Sequence, residues 1–110
     1  MALKILILDD HKVFSESLKV VLETHGFDVV NITQAEVALR LIKAHGADIV
    51  ISDIEMPEMS GLEFIKNIKE NSREYKVAPK IIVLTSYTKL NLFKQLLNIG
   101  IDAYLSKNVS

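Results

Sequence analysis

Five short apolar runs divide this chain, and four stretches of helical period lie between them. The runs are Leu3–Leu8, Phe27–Ile32, Asp48–Ser52, Lys80–Thr85 and Ala103–Ser106. Most are continuous in Ile, Val and Leu instead of alternating with polar residues, as expected of strands covered on both faces in a parallel sheet. The intervening stretches carry apolar stripes at steps of three and four. Phe14, Leu18, Val21 and Leu22 share a face in Lys12–Thr24, and Val37/Leu41 and Ala38/Ile42 pair in Gln34–Ala44. Leu62, Ile65 and Ile68 recur in Gly61–Asn71, and Leu92, Phe93, Leu96 and Leu97 in Lys89–Asn98. Strict β-α alternation implies right-handed crossovers and a parallel sheet layered with helices on both faces. With 110 residues there is room for one such domain.

Gly-x-Asp occurs at three helix-to-strand joints: Gly26-Phe27-Asp28, Gly46-Ala47-Asp48 and Gly100-Ile101-Asp102. The glycines read as helix stops. The remaining joint, Asn71–Pro79, is polar and reads as a solvated loop.

In parallel α/β sheets, ligands bind beyond the carboxyl ends of the strands, so the residues following each strand matter most. Asp9 and Asp10 follow the first, Asp53 the third, Thr85 ends the fourth and Lys107 follows the fifth. Each has a commonplace reading by itself: a helix cap, a turn opener, a local hydroxyl bond, a solvated lysine. Together at one sheet edge they point elsewhere. Three carboxylates placed close together repel unless a cation joins them, and all-oxygen ligands suit Mg²⁺. A hydroxyl and an ammonium nearby suit the oxygens of a phosphoryl group, and a carboxylate is a competent phosphoryl acceptor. His11 reads as a solvated or capping residue without chemistry, and Tyr87 and Tyr104 as partly buried packing residues.

Composition narrows the alternatives. A net charge of −1 gives no basic surface for nucleic acid or anionic lipid, and the absence of cysteine removes disulfides, thiolate catalysis and cysteine-zinc sites. No apolar run is long enough to span a bilayer, and the short N-terminal run ends in acids, unlike a secretory signal. Two rivals remain. One is an interaction module of the same fold that takes no phosphoryl group. The other is a small α/β enzyme, such as a metal-dependent phosphatase or a flavin binder, although an acidic pair after the first strand repels phosphate.

The segments "LILDDH", "SDIEMPEMSG", "IIVLTS" and "AYLSK" resemble, in order and spacing, the response-regulator receiver domain. The resemblance covers essentially the whole chain. It implies a flavodoxin-like sheet of order 2-1-3-4-5. It also implies that Asp53 accepts a phosphoryl group from a histidine kinase or phosphotransfer protein. Asp10 and Asp53 would then ligate Mg²⁺ directly, with Asp9 acting through water and the Glu55 backbone carbonyl adding an oxygen. Lys107 and Thr85 would hold the phosphoryl oxygens, and Thr85 and Tyr104 would form the switch pair. Met56-Pro57 and Gly61 match the turn that shapes the loop after the acceptor. Glu55 and Tyr87 stand at positions that vary across the family and bear on water access to the acyl phosphate. Such a domain catalyses only its own phosphorylation and dephosphorylation, in the cytoplasm. "DDHKVFSESL" and "AYLSKNVS" are closest to the subfamily with a C-terminal helix-turn-helix domain, so DNA would be bound only by an output domain absent from these residues. A fifth helix is expected after the fifth strand, with Asn108 and Ser110 as its cap, and the chain stops before it. Residues 1–110 are therefore expected to be a truncated receiver. Apolar side chains of strands one, three, four and five would be exposed beside the first helix, and a second copy of the chain or an exchanged element would cover them.

Overall fold

The computed structural model describes residues 2–55, 59–75, 78–86 and 90–107. The strands are β1 (Lys4–Leu8), β2 (Asp28–Ile32), β3 (Ile49–Ser52), β4 (Lys80–Thr85) and β5 (Ala103–Ser106). The helices are α1 (Lys12–Thr24), α2 (Ala35–His45), α3 (Gly61–Glu70) and α4 (Leu90–Ile99). All neighbouring strands are parallel, in the order β2-β1-β3-β4-β5, as the resemblance implied.

The position of each helix follows from this order. The step from β1 to β2 runs one way across the sheet, and every later step runs the other way. A right-handed crossover therefore places α1 on one face and the remaining helices on the opposite one. The two cores agree. Leu6, Leu8, Val50, Ile81 and Val83 meet Ala38 and Ile42 of α2, Phe64, Ile65 and Ile68 of α3, and Leu96 of α4. Ile5, Ile7, Val29 and Ile51 meet Leu18 and Leu22 of α1. Because β1 lies between β2 and β3 and feeds both cores, its residues from Ile5 to Leu8 are all buried. That burial is why its sequence is continuous instead of alternating.

The expected boundaries shift slightly. Three strands begin one residue later than the apolar runs suggested, because Leu3 contributes only a carbonyl, to the Asp28 N–H, and Phe27 and Asp48 lie in the joints. Helix α2 runs one residue further than expected, ending at His45, and α4 ends at Ile99. The described start of the joint, residues 71–75, is more ordered than a solvated loop. Ser72–Glu74 form a turn of 3₁₀ helix, Glu74 pairs with Lys43 of α2 at 3.1 Å, and Tyr75 packs against the larger core.

The Gly-x-Asp joints do more than stop helices. Gly26, Gly46 and Gly100 all take positive φ, as helix stops there require. Two of the acids then reach sideways. The Asp48 carboxylate accepts the Lys4 N–H and the Asp102 carboxylate accepts the Ile81 N–H, each at 2.8 Å. Each thereby satisfies an amide at the start of a strand, the first of β1 and the second of β4.

One expectation is corrected. The α1 face of β1 and β3 is not exposed: Ile5, Ile7 and Ile51 are buried, because α1 lies over them. Among the described residues, Ile49 of β3 is half-buried on that face, and the incomplete cover continues toward β4 and β5. There Ile82 and Leu84 are half-buried and Leu105 is 53% exposed. The expected helix cap at Asn108 and Ser110 lies outside the described residues.

Candidate functional site

The carboxyl edge of β1, β3, β4 and β5 gathers the residues singled out in the sequence. Asp9 follows β1 with its backbone bonded to Ile32, Asp53 follows β3 bonded to Leu8, and Lys107 follows β5 bonded to Thr85. Each chain exit is thus held by the neighbouring strand before its side chain is used. Asp9, Asp53 and Thr85 are buried, and Asp10 is exposed.

Asp53 is oriented by its own loop. Its Oδ1 accepts the N–H of Ile54 at 2.7 Å and of Glu55 at 3.3 Å. Its Oδ2 faces Lys107, whose Nζ lies 3.2 Å away. Asp9 is equally engaged, with Oδ1 accepting the His11 N–H at 2.8 Å and Oδ2 lying 2.6 Å from Lys107 Nζ. The Lys107 side chain is only 8% exposed. Its ammonium therefore bridges two buried carboxylates, which neither could tolerate alone.

Three carboxylates against one ammonium leave two negative charges in excess, the amount one divalent cation neutralises. Carboxylate oxygens of Asp9, Asp10 and Asp53 and a ring nitrogen of His11 all lie within 4.8 Å of one another, a spacing that can hold a metal ion. Oxygen-rich donors of this kind suit Mg²⁺, so the residues present fit the expected metal.

Gly61 sets the loop that carries Asp53 into place. Its N–H donates to the Ile54 carbonyl at 2.9 Å. A Cβ at this position would collide with the Asp53 carbonyl oxygen and stand 2.6 Å from the Ile54 Cα. Ser60 then caps α3, its hydroxyl accepting the Glu63 N–H at 3.2 Å. Gly61→Ala is expected to destabilise the fold by about 1–3 kcal/mol, the usual cost of overpacking. A urea denaturation midpoint equal to that of the parent would show that the loop yields freely.

Thr85 ends β4 and is fully buried on the face of Val83, pointing with the larger core. Tyr104 pairs in register with Val83 and meets Phe93 of α4 edge-on, with ring centroids 5.1 Å apart. Burial raises its hydroxyl pKa above the ordinary tyrosine value. It is thus half-buried, as read from the sequence. Glu55 is exposed. Met56-Pro57 and Tyr87 lie outside the described residues.

Two residues were missed. His11 caps the start of α1 through its backbone and is largely solvated, as expected, yet its Nδ1 stands 3.2 Å from Asp9 and 3.7 Å from both Asp10 and Asp53. Phe14, read only as a core stripe residue, presents its ring face to Lys107 Nζ at 4.7 Å from the centroid. The available signal was their spacing of three, in the first helical turn directly after the acidic pair.

The response regulator receiver domain family matches residues 5–110. The chain belongs to this family. The relative named transcriptional regulatory protein YdfI, from Bacillus subtilis (strain 168), is 43% identical over 110 residues, covering 97% of this chain and 49% of that protein. The chain thus spans about half the length of that curated relative. A CheY-like receiver domain protein from Methanospirillum hungatei JF-1 superposes with a TM-score of 0.90 at 30% identity, over 100% of this chain and 85% of that one. A DNA-binding response regulator of the LuxR family from Staphylococcus aureus gives 0.87 at 26% identity, over 98% and 88% respectively. The chain is therefore a receiver domain of two-component signalling, a family served by histidine kinases or phosphotransfer proteins. No helix among the described residues of this receiver domain is long and apolar enough to cross a membrane.

Proposed function

We propose that Asp53 is the phosphoacceptor of this receiver domain. One observation carries the reading. A buried carboxylate has one oxygen fixed by backbone N–H groups and the other directed at a buried ammonium, with two further carboxylates alongside. The fixed oxygen locks the orientation, and the second is the nucleophile. It attacks the phosphorus of a phosphohistidine, forming an acyl phosphate as the P–N bond breaks and the imidazole leaves with its proton.

Mg²⁺ would be held by Asp10, Asp53 and the Glu55 carbonyl, with Asp9 acting through water. It would supply charge neutralisation for the phosphoryl oxygens. The division between the acids follows their surroundings. Both Asp9 oxygens are engaged, by the His11 N–H and by Lys107, whereas Asp10 is exposed and free to ligate directly. Lys107 and the Thr85 hydroxyl would take phosphoryl oxygens. Movement of Thr85 toward them would open space for Tyr104, biasing a pre-existing equilibrium. The domain acts on no substrate beyond its own Asp53. Its donor is a sensor histidine kinase or a phosphotransfer protein, its setting is the cytoplasm, and it homodimerises. The names of YdfI and of the LuxR-family structure support an output that regulates transcription through a separate DNA-binding domain.

Incubation with acetyl phosphate and Mg²⁺, read by intact mass, tests this. A single stable phosphoryl adduct is expected. An unchanged mass would favour a phosphoryl-independent interaction module, and continuous phosphate release a phosphatase. Asp10→Ala should remove Mg²⁺-dependent phosphorylation while the circular dichroism spectrum stays unchanged; normal phosphorylation in that variant would refute the metal role of Asp10.

A further inference from the structure

A lysine on a four-carbon flexible stem ordinarily keeps its ammonium in water, yet the Lys107 side chain is 8% exposed. Asp9 and Asp53 attract it from one side, at 2.6 and 3.2 Å. The first turn of α1 closes the other side. Phe14 places its ring face 4.7 Å from Nζ, inside the range where the quadrupole of an aromatic ring attracts a cation. The ring nitrogen Nδ1 of His11, three residues earlier on the same side of the helix start, lies 3.4 Å from Nζ.

We propose that Phe14 is a positioning residue for this site. Its ring face, with His11 beside it, holds the Lys107 ammonium across Asp9 and Asp53, so that Lys107 meets the incoming phosphoryl oxygens already ordered. The holding of Lys107 stands on the contacts alone; its effect on phosphorylation rests on the reading of Asp53. An aliphatic residue of similar volume fills the same space without attracting the cation. Tyrosine keeps the π face.

The decisive series replaces Phe14 by mono-, di- and trifluorinated phenylalanine, which keep the shape while withdrawing electrons from the ring face. The phosphorylation rate with acetyl phosphate at saturating Mg²⁺ should fall in steps with fluorination, by roughly 3- to 10-fold overall. Phe14→Tyr should keep the parental rate. In the unphosphorylated protein, the NMR signal of the Lys107 ε-methylene should be shifted upfield by the ring and should move toward the position of a solvated lysine in Phe14→Leu. Fluorinated variants at the parental rate would overturn the proposal, because the ring would then be filling space only. So would a Lys107 methylene unmoved in Phe14→Leu. Failure of the parent to accept any phosphoryl group would instead refute the Asp53 reading, and the methylene signal would then decide the placement of Lys107 by itself.

Discussion

Asp53→Asn is expected to abolish phosphoryl uptake and leave the fold standing. The amide is close to isosteric with the carboxylate. Its Oδ1 can still accept the Ile54 N–H that fixes the side chain at 2.7 Å. Lys107 keeps its partner in Asp9 at 2.6 Å, so no buried charge is stranded. What disappears is the nucleophile, since a neutral amide does not attack phosphorus. One of three mutually repelling carboxylates disappears with it. The thermal midpoint should therefore match or exceed that of the parent, while intact mass shows no adduct with acetyl phosphate and Mg²⁺. An undiminished adduct in this variant would place the acceptor elsewhere.

Lys107→Met should have the opposite effect on stability. The Asp9 and Asp53 side chains are each 3% exposed, and Lys107 is the cation that reaches both. Methionine preserves most of the stem volume, including the packing against Phe14, but leaves two buried carboxylates without an ammonium. Breaking a buried ion pair by removing one partner costs about 3–5 kcal/mol, a large share of the stability of a small domain. A divalent cation should then recover much of the loss, because it supplies the missing charge to the same oxygens. Chemical denaturation with and without millimolar Mg²⁺ measures both effects. A variant as stable as its parent without metal would mean that the acids are solvated or protonated. One that Mg²⁺ does not rescue would mean that the cation binds elsewhere.

The architecture was legible because its causes are local. Continuous apolar strands, helical stripes and glycine stops repeat along the chain, and each declares its element without reference to the others. The acids and the lysine were legible because a parallel sheet brings its carboxyl edges together whatever the details. What escaped depends on contacts between distant segments. Asp48 and Asp102 look like parts of a turn, and only strand adjacency reveals that they cap Lys4 and Ile81. Phe14 lies on the apolar stripe of α1, and nothing within α1 says that its ring stops beneath a lysine from the other end of the chain. The expectation of bare β1 and β3 failed for a similar reason. It counted helices per face without weighing that α1 covers Ile5, Ile7 and Ile51 together with Val29, leaving the shortfall toward β5, where Leu105 lies.

His11 and Lys107, whose nitrogens come within 3.4 Å, are 96 positions apart in the sequence. A ribosome makes the acidic pair first and the ammonium that neutralises it among the last residues of the sheet. Until β5 docks, the growing chain carries an acidic edge without the Lys107 ammonium, and β4 lacks its outer neighbour. Closure of so long a loop waits until β5 has been made. The cost of those stranded charges makes a partial sheet a poor resting state. A chain interrupted before β5 would therefore lack the ammonium that spans Asp9 and Asp53.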